Sequence, residues 1–187
     1  MSDSDLSALI GSRLCHDLVS PLGAIGNGLE LLQMMQPPSP ELDLVNDAVK
    51  MAQARVRLFR LAFGAASPEQ TVHPTEITQG FDALAANGRI ALTCDVDEPM
   101  TRPSARRLIL AAMCAETALA WGGALWVTAA GLRAQAARFR LDPALWRALT
   151  NGDTLAEPSS ASVHFALLAA SGPVLIDHSE DRLQITI

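Results

Sequence analysis

The chain has 187 residues, enough for one domain of ordinary size or two small ones, and 49% of them are apolar, as in a globular protein with a sizeable core. The net charge of −6 argues against nonspecific binding to nucleic acid. No apolar run approaches the roughly 18 residues of a membrane-spanning helix, and no secretory signal precedes the first element, so we expect a cytoplasmic protein that is not in a membrane.

The first predicted element is an amphipathic helix around His16. Its apolar residues recur at steps of three and four and define an apolar stripe: Ile10, Leu14, Leu18, Leu22, Ile25, Leu29 and Leu32. At about 100° per residue, His16 projects almost opposite that stripe, so its imidazole is expected to face water. Ser20, Gly23 and Asn27 share this side of the helix and leave room for a large approaching surface.

The residues that follow His16 give it a context. Asp17 comes directly after it, and Pro21 comes five residues on. A proline inside a helix removes one hydrogen bond and bends the axis at a cost of about 3 kcal/mol, so we interpret Pro21 as a helix kink. The segment 16–22, HDLVSPL, resembles the phosphoacceptor box of bacterial two-component proteins. The simpler alternative is a surface histidine on a helix that happens to contain proline.

A second helix is predicted after the proline-rich turn at residues 36–40. Ser39 is expected to cap it, with Pro40 in the first turn, where a missing N–H costs nothing. One apolar seam and a second stripe follow the helix: Leu42, Val45, Val49, Ala52, Val56, Phe59 and Phe63, then Leu44, Ala48, Met51, Leu58 and Ala62. The first helix can cover only one of these two stripes, so the other needs another partner. We therefore expect that the second stripe is buried either in a homodimer with a four-helix bundle, which we favour, or beneath a second domain. The basic cluster Arg55, Arg57 and Arg60 is interpreted as a solvated face.

The remaining residues predict an α+β domain. The elements in chain order are a linker over 64–74, a helix over 76–86, a strand over 89–96, a helix over 103–121, strands over 124–130 and 133–141 around Gly131, helices over 143–150 (capped by Asp142) and 160–170, and a closing hairpin over 174–177 and 182–187. The tryptophans at 121, 126 and 146 are expected to fill its core. The predicted domains are a helical hairpin, residues 1–66, and an α/β sandwich, residues 71–187.

Few other residues suggest chemistry. Cys15, Cys94 and Cys114 are widely spaced, without a CxxC pair, which predicts free thiols rather than a zinc site or a disulfide. The other histidines, at 73, 164 and 178, belong to no cluster at ligand spacing. No metal or cofactor site is therefore predicted in this chain.

A helical hairpin followed by an α/β sandwich resembles the core of a histidine kinase with an ATP-binding domain of the GHKL type. That resemblance implies an asparagine on the long helix for Mg²⁺ and triphosphate, and an Asp-x-Gly loop for adenine. Residues 88–150 contain no asparagine, and no glycine in the chain has an aspartate two positions before it. We therefore expect a kinase-like fold that has lost its nucleotide site.

This combination resembles the ChpT-type histidine phosphotransferases of alphaproteobacteria, most specifically over residues 15–30. The resemblance implies a dimeric relay in which His16 takes a phosphoryl group from the receiver domain of a CckA-like hybrid kinase. His16 then passes it to response regulators of the CtrA and CpdR kind, with Mg²⁺ held by the receiver. The resemblance implies catalytic roles for His16 and Asp17. We expect the regulator to dock on four residues of the same helix: Arg13, Ser20, Gly23 and Asn27.

The role of Asp17 has two interpretations. It can hold one imidazole N–H and stabilise the imidazolium, as orienting acids do in catalytic triads. Adjacent helix residues point about 100° apart, so Asp17 can instead contact the regulator. Two other functions compete with the relay, namely an atypical autophosphorylating kinase and a non-catalytic kinase-like adaptor.

Overall fold

Two antiparallel helices make up the first of two units. The computed structural model describes residues 3–86, 88–155 and 157–187, and the chain divides into the units Met1–Ala65 and Ala66–Ile187. Helix α1 spans Asp3–Met35 and α2 spans Pro40–Phe63. The predicted cap of α2 is confirmed, because Ser39 Oγ accepts a hydrogen bond of 3.2 Å from the Leu42 N–H.

Glycines in α1 let the two helices approach closely. A Cβ on Gly11 would lie 2.9 Å from the carbonyl oxygen of Phe63, and one on Gly26 would lie 2.9 Å from Gln53 Nε2. That amide in turn donates a 3.1 Å hydrogen bond to the Leu22 carbonyl. These contacts fix which residues of the antiparallel helices lie opposite each other, with the second half of α2 beside the part of α1 between Gly11 and Gly26.

Most of the predicted stripe on α1 is not covered by α2. Leu29 is buried and Leu22 is partly buried, but five members remain at least 40% exposed: Ile10, Leu14, Leu18, Ile25 and Leu32. On α2 the predicted second stripe is buried only in its C-terminal half, at Leu58 and Ala62, whereas Leu44 is 72% exposed. The hairpin thus leaves a broad apolar surface, and this uncovered part of the stripe lies about 120–200° around α1 from His16.

The second unit is the α+β domain that the sequence predicts. Its elements are β1 (Thr71–Val72), α3 (Pro74–Ala85), β2 (Ile90–Asp95), β3 (Met100–Thr101), α4 (Arg102–Ala118), β4 (Gly123–Thr128), β5 (Gly131–Gln135), α5 (Pro143–Asn151), α6 (Val163–Ala170), β6 (Leu175–His178) and β7 (Arg182–Thr186). The five-stranded sheet has the order β2-β4-β5-β7-β6, with β2 and β4 parallel and every other pair antiparallel. Strands β1 and β3 pair separately.

Helix α4 lies at the centre of this unit. Every residue from Leu108 to Ala115 is buried, so the middle of the helix is enclosed on all sides. The strands present alternate residues to this core and to the opposite face of the sheet. One row across the opposite face is set by the register: Thr93, Trp126, Arg133, Gln184 and Asp177.

Four sequence predictions for this unit are wrong. A strand is predicted over 133–141, but β5 ends at Gln135. The segment 64–74 is not purely a linker, because β1 forms within it. The long helix ends at Ala118 rather than at 121, since the main chain turns at Gly122, whose φ is +90°. Trp121 therefore lies outside the core, 54% exposed, with the Arg138 guanidinium 3.8 Å from its ring centroid. Trp126 lies on the open face of the sheet, and among the three tryptophans only Trp146 is buried.

Candidate functional site

The imidazole of His16 stands on the open surface of α1. Its side chain is 81% exposed, which confirms the expectation that it faces water. Nδ1 lies 3.2 Å from Asp17 Oδ1, and the other carboxylate oxygen, Oδ2, accepts a 2.9 Å hydrogen bond from Arg13 Nε. Since a carboxylate can only accept, Nδ1 carries the proton in this contact, and in the neutral imidazole Nε2 is then the nitrogen that holds the lone pair.

Asp17 is held between two donors, and this keeps it ionised. The hydrogen bond from His16 lowers the pKa of Asp17, and the hydrogen bond and positive charge of Arg13 lower it further. Arg13 and Asp17 are four residues apart, so one turn of helix brings their side chains together. The result is a surface row, Arg13–Asp17–His16, that orients the imidazole. This contact favours the orienting role of Asp17 over the alternative that it points toward a regulator.

Pro21 lies one turn beyond Asp17, and α1 continues through it without interruption. Because proline has no N–H, the Asp17 carbonyl lacks the donor that a helix normally supplies from four residues ahead. Position 21 is exposed, so water can solvate this carbonyl.

The structure places the four predicted docking residues in two groups. Ser20 and Asn27 are exposed on the same side of α1 as His16, and Gly23 lies between them with no atom within 4 Å of where a Cβ would stand. Arg13 is 75% exposed, but its guanidinium is engaged with Asp17. The face beside His16 therefore carries small, exposed residues, as expected. Arg13 belongs instead to the row of side chains that holds the imidazole.

A groove beside this face was not predicted. It has a volume of about 300 Å³ and lies between the two helices, lined by Val19 and Gly23 of α1 and by Gln53, Val56, Arg57 and Arg60 of α2. The sequence predicts a solvated face for these arginines. Within the described residues, Arg57 Nε is instead buried and has no hydrogen-bond partner. A signal was available in the sequence, since the charges of α2 are acidic in its first half and basic in its second.

The second unit contains a buried polar pair between α4 and α6. Thr117 Oγ1 donates to the Met113 carbonyl (3.1 Å), so its contact of 3.1 Å with His164 requires that the imidazole Nε2–H donate to it. Burial lowers the pKa of His164. The described parts of the chain contain no group of three or more His, Cys, Asp or Glu placed to hold a metal ion. The three cysteines are free, and burial raises the pKa of both Cys15 and Cys114.

Comparison with known proteins places this chain in a family. Residues 74–172, more than half of the chain, match the model of the histidine phosphotransferase C-terminal domain. The chain belongs to the histidine phosphotransferase family. This confirms the resemblance that the segment around His16 had indicated.

Two relatives add to the comparison. Protein phosphotransferase ChpT of Brucella abortus (strain 2308) is 47% identical over 66 residues, which cover 35% of this chain and 32% of that protein. The match thus spans about a third of the length of the curated relative. A bacterial phosphotransferase of known structure, determined at 1.7 Å, superposes with a TM-score of 0.65 at 25% identity, covering 100% of this chain and 98% of the other. Among the described residues, no helix is long and apolar enough to span a membrane.

Proposed function

We propose that this chain is a phosphorelay protein that accepts a phosphoryl group on His16 from a receiver aspartate and passes it to the aspartate of a response regulator. The observation that carries the proposal is the exposed imidazole whose Nδ1 is held by Asp17 while Nε2 faces solvent. A nucleophile for a protein-borne phosphoryl group must be accessible to a large surface and must have a fixed orientation.

The chemistry follows from that orientation. Nε2 attacks the phosphorus of the aspartyl phosphate, the N–P bond forms, and the O–P bond breaks with its electron pair returning to the receiver carboxylate. Nδ1 keeps its proton, and the imidazolium charge that develops lies beside ionised Asp17. Transfer onward reverses these steps, since the N–P bond breaks toward Nε2 and a new O–P bond forms on the regulator.

ATP has no part in this proposal. The sequence lacks an asparagine over 88–150 and any Asp-x-Gly, the groups that the kinase resemblance requires. The middle of α4, the long helix of this unit, is enclosed by other side chains. We expect Mg²⁺ in the partner receiver domain, because this chain offers no cluster of ligands for it among its described residues.

The proposed partners are the receiver domain of a CckA-like hybrid kinase and response regulators of the CtrA and CpdR kind, in the cytoplasm. We also propose a homodimer. The exposed stripe on α1 and the exposed apolar residues of α2 leave many large apolar side chains in water, and clustered exposed apolar residues mark sites of protein–protein contact. Because that stripe faces away from His16, a four-helix bundle built on it leaves both histidines open to partners.

The test is incubation of the full chain with a phosphorylated receiver domain of a CckA-like kinase, followed by localisation of acid-labile phosphate by mass spectrometry. Label on His16 is the expected result. No label would support the adaptor alternative. Label that appears with Mg-ATP alone, or a clear thermal shift with Mg-ATP, would support the kinase alternative.

A further inference from the structure

Charge is distributed unevenly along α2. Its first half carries Glu41, Asp43 and Asp47 and has Lys50 near its end, and its second half carries a basic group: Arg55, Arg57 and Arg60. Because the helices are antiparallel, the basic half lies beside the part of α1 that bears His16. The closest approaches, Gly11 to Phe63 and Gly26 to Gln53, bracket this level of the hairpin.

The groove between the helices begins within one turn of His16. Val19 and Gly23, which line its α1 side, are three and seven residues after the histidine, and such residues share one face of a helix. A stable protein–protein interface covers about 800 Å² on each partner. A protein that presents a phosphoryl group to Nε2 therefore also covers this groove.

Arg57 is unusual among the basic residues of α2. It lines the groove, and its Nε is buried without a hydrogen-bond partner in the described residues. A buried donor left unpaired has lost its hydrogen bonds to water without replacement, so an acceptor that enters the groove gains more than it would on open surface. Arginine offers a planar fork of donors that matches the two oxygens of a carboxylate.

We propose that Arg57 is a specificity-determining residue that binds a carboxylate of the protein exchanging phosphate with His16. The inference rests on the proposed function, because it requires a protein to dock over the histidine. Charge complementarity identifies the occupant. The donor brings an anionic phosphoryl group toward a face where Arg57 and Arg60 add positive charge, and an acidic side chain beside that group is attracted by the same arginines.

The experiment measures the initial rate of phosphoryl transfer to the full chain from the phosphorylated receiver domain of a CckA-like kinase, at several salt concentrations. Arg57→Glu is expected to lower kcat/KM about tenfold or more, mainly through KM, because arginine contacts at interface centres are often energetic hot spots. Arg57→Met should lose part of the rate and most of the salt dependence, and Arg57→Lys should retain the salt dependence. Arg55→Glu is the matched control, since it makes the same charge change on the same helix outside the groove.

Phosphoramidate, a small phosphoryl donor that needs no docking, separates recognition from chemistry. Labelling of His16 by phosphoramidate at equal rates in the wild type and in Arg57→Glu is the expected result. Equal transfer rates from the receiver to wild type and Arg57→Glu would overturn the inference alone. So would a loss of phosphoramidate labelling that matches the loss with the receiver, or an Arg57→Met variant with an unchanged salt dependence. If the wild type takes no phosphate from the receiver, the proposed function falls, and this inference falls with it.

Discussion

In the second unit, apolar side chains of helices and strands close against one another, and residues such as Phe81, Leu108 and Phe165 are at most 1% exposed. In the hairpin, side chains of the same kind remain in contact with water along most of α1. Among the described residues, the large apolar side chains that are exposed all belong to the hairpin except Trp121 and Leu175.

This difference indicates how the two units divide their work. A unit that buries its apolar residues is stabilised by its own core. A unit that leaves them exposed depends on something else to cover them, and it is the hairpin that carries His16. We therefore expect substitutions in the second unit to change folding, and substitutions in the hairpin to change assembly or transfer.

The largest expected effect is the loss of phosphoryl acceptance by the hairpin. His16→Ala should abolish labelling by a phosphorylated receiver domain, because Nε2 of this residue is the proposed nucleophile. The free energy of unfolding should change by less than about 0.5 kcal/mol, since the side chain is exposed. His178→Ala, a change at an exposed histidine of the second unit, is the control and should be labelled normally. Labelling of His16→Ala at the wild-type level would contradict the proposal.

The next effect concerns the core of the second unit. Phe165→Ala should lower its free energy of unfolding by about 3–5 kcal/mol, measured by denaturant titration. Phe165 is 1% exposed and packs edge-to-face on Trp146, with 5.6 Å between the ring centroids, so truncation leaves a cavity. Leu175→Ala, at a position 74% exposed, should cost little. A loss below about 1 kcal/mol at Phe165 would show that this core is not the source of stability.

Assembly is the corresponding test of the hairpin. Ile25→Glu, at a half-exposed position of the stripe, should weaken the proposed dimer at least about tenfold, because a charge would be buried without a partner. Sedimentation at micromolar concentration should give twice the 19.8 kDa chain mass for the wild type and a lower mass for the variant. Ser20→Glu is the matched control on the His16 side. It should remain dimeric and transfer phosphate more slowly. A monomeric wild type would defeat the dimer, and normal transfer by Ser20→Glu would place docking elsewhere.

The smallest expected effect is a pH dependence of the stability of the second unit. Burial lowers the pKa of His164 from its ordinary value of 6.5, so on acidification the unfolded chain takes up a proton before the folded chain does. The free energy of unfolding of the second unit should therefore fall as pH drops below about 6.5. His164→Gln keeps a donor for Thr117 but does not titrate, and it should flatten the profile between about pH 7 and 5. His178→Gln should retain the wild-type profile. An unchanged slope in His164→Gln would assign the acid sensitivity to other groups.

Local signals in the sequence were enough to predict most elements of the fold. Ser39 and Asp142 cap the helices that they were expected to cap, because a side-chain oxygen next to a proline at the first helical position specifies a helix start with few alternatives. The closing hairpin, β6 and β7, was also predicted, since apolar and polar residues alternate in β7.

Errors arose where long-range contacts decide the outcome. The pairing of Thr71–Val72 with Met100–Thr101 joins segments far apart in the sequence, and neither pair of residues has a periodicity that could indicate a strand. Trp121 continues the apolar pattern of α4, but the turn at Gly122 leaves it outside the core. Apolar character alone did not determine which face each tryptophan would take.

The candidate site also has features that local sequence signals predict and features that depend on contacts between side chains. His16 and its exposure could be predicted, because helical spacing fixes the angle between the histidine and the stripe. The contact of Asp17 with the imidazole depends on rotamers that spacing does not determine, and the sequence left it as one of two alternatives. The groove at Arg57 could not be found from either helix alone, since it depends on which residues of α2 lie opposite Val19 and Gly23.

The position of β7 in the sheet has a consequence for synthesis of the protein. β7 follows every other strand in the sequence, yet it lies between β5 and β6 and makes hydrogen bonds with both. The sheet therefore cannot close until the ribosome has added Arg182–Thr186, whereas the hairpin is complete once residue 63 has been added. The two α1 stripes of neighbouring nascent chains can meet while the second unit is still unfolded. On a shared messenger RNA, pairing of chains can thus precede completion of the domain that follows.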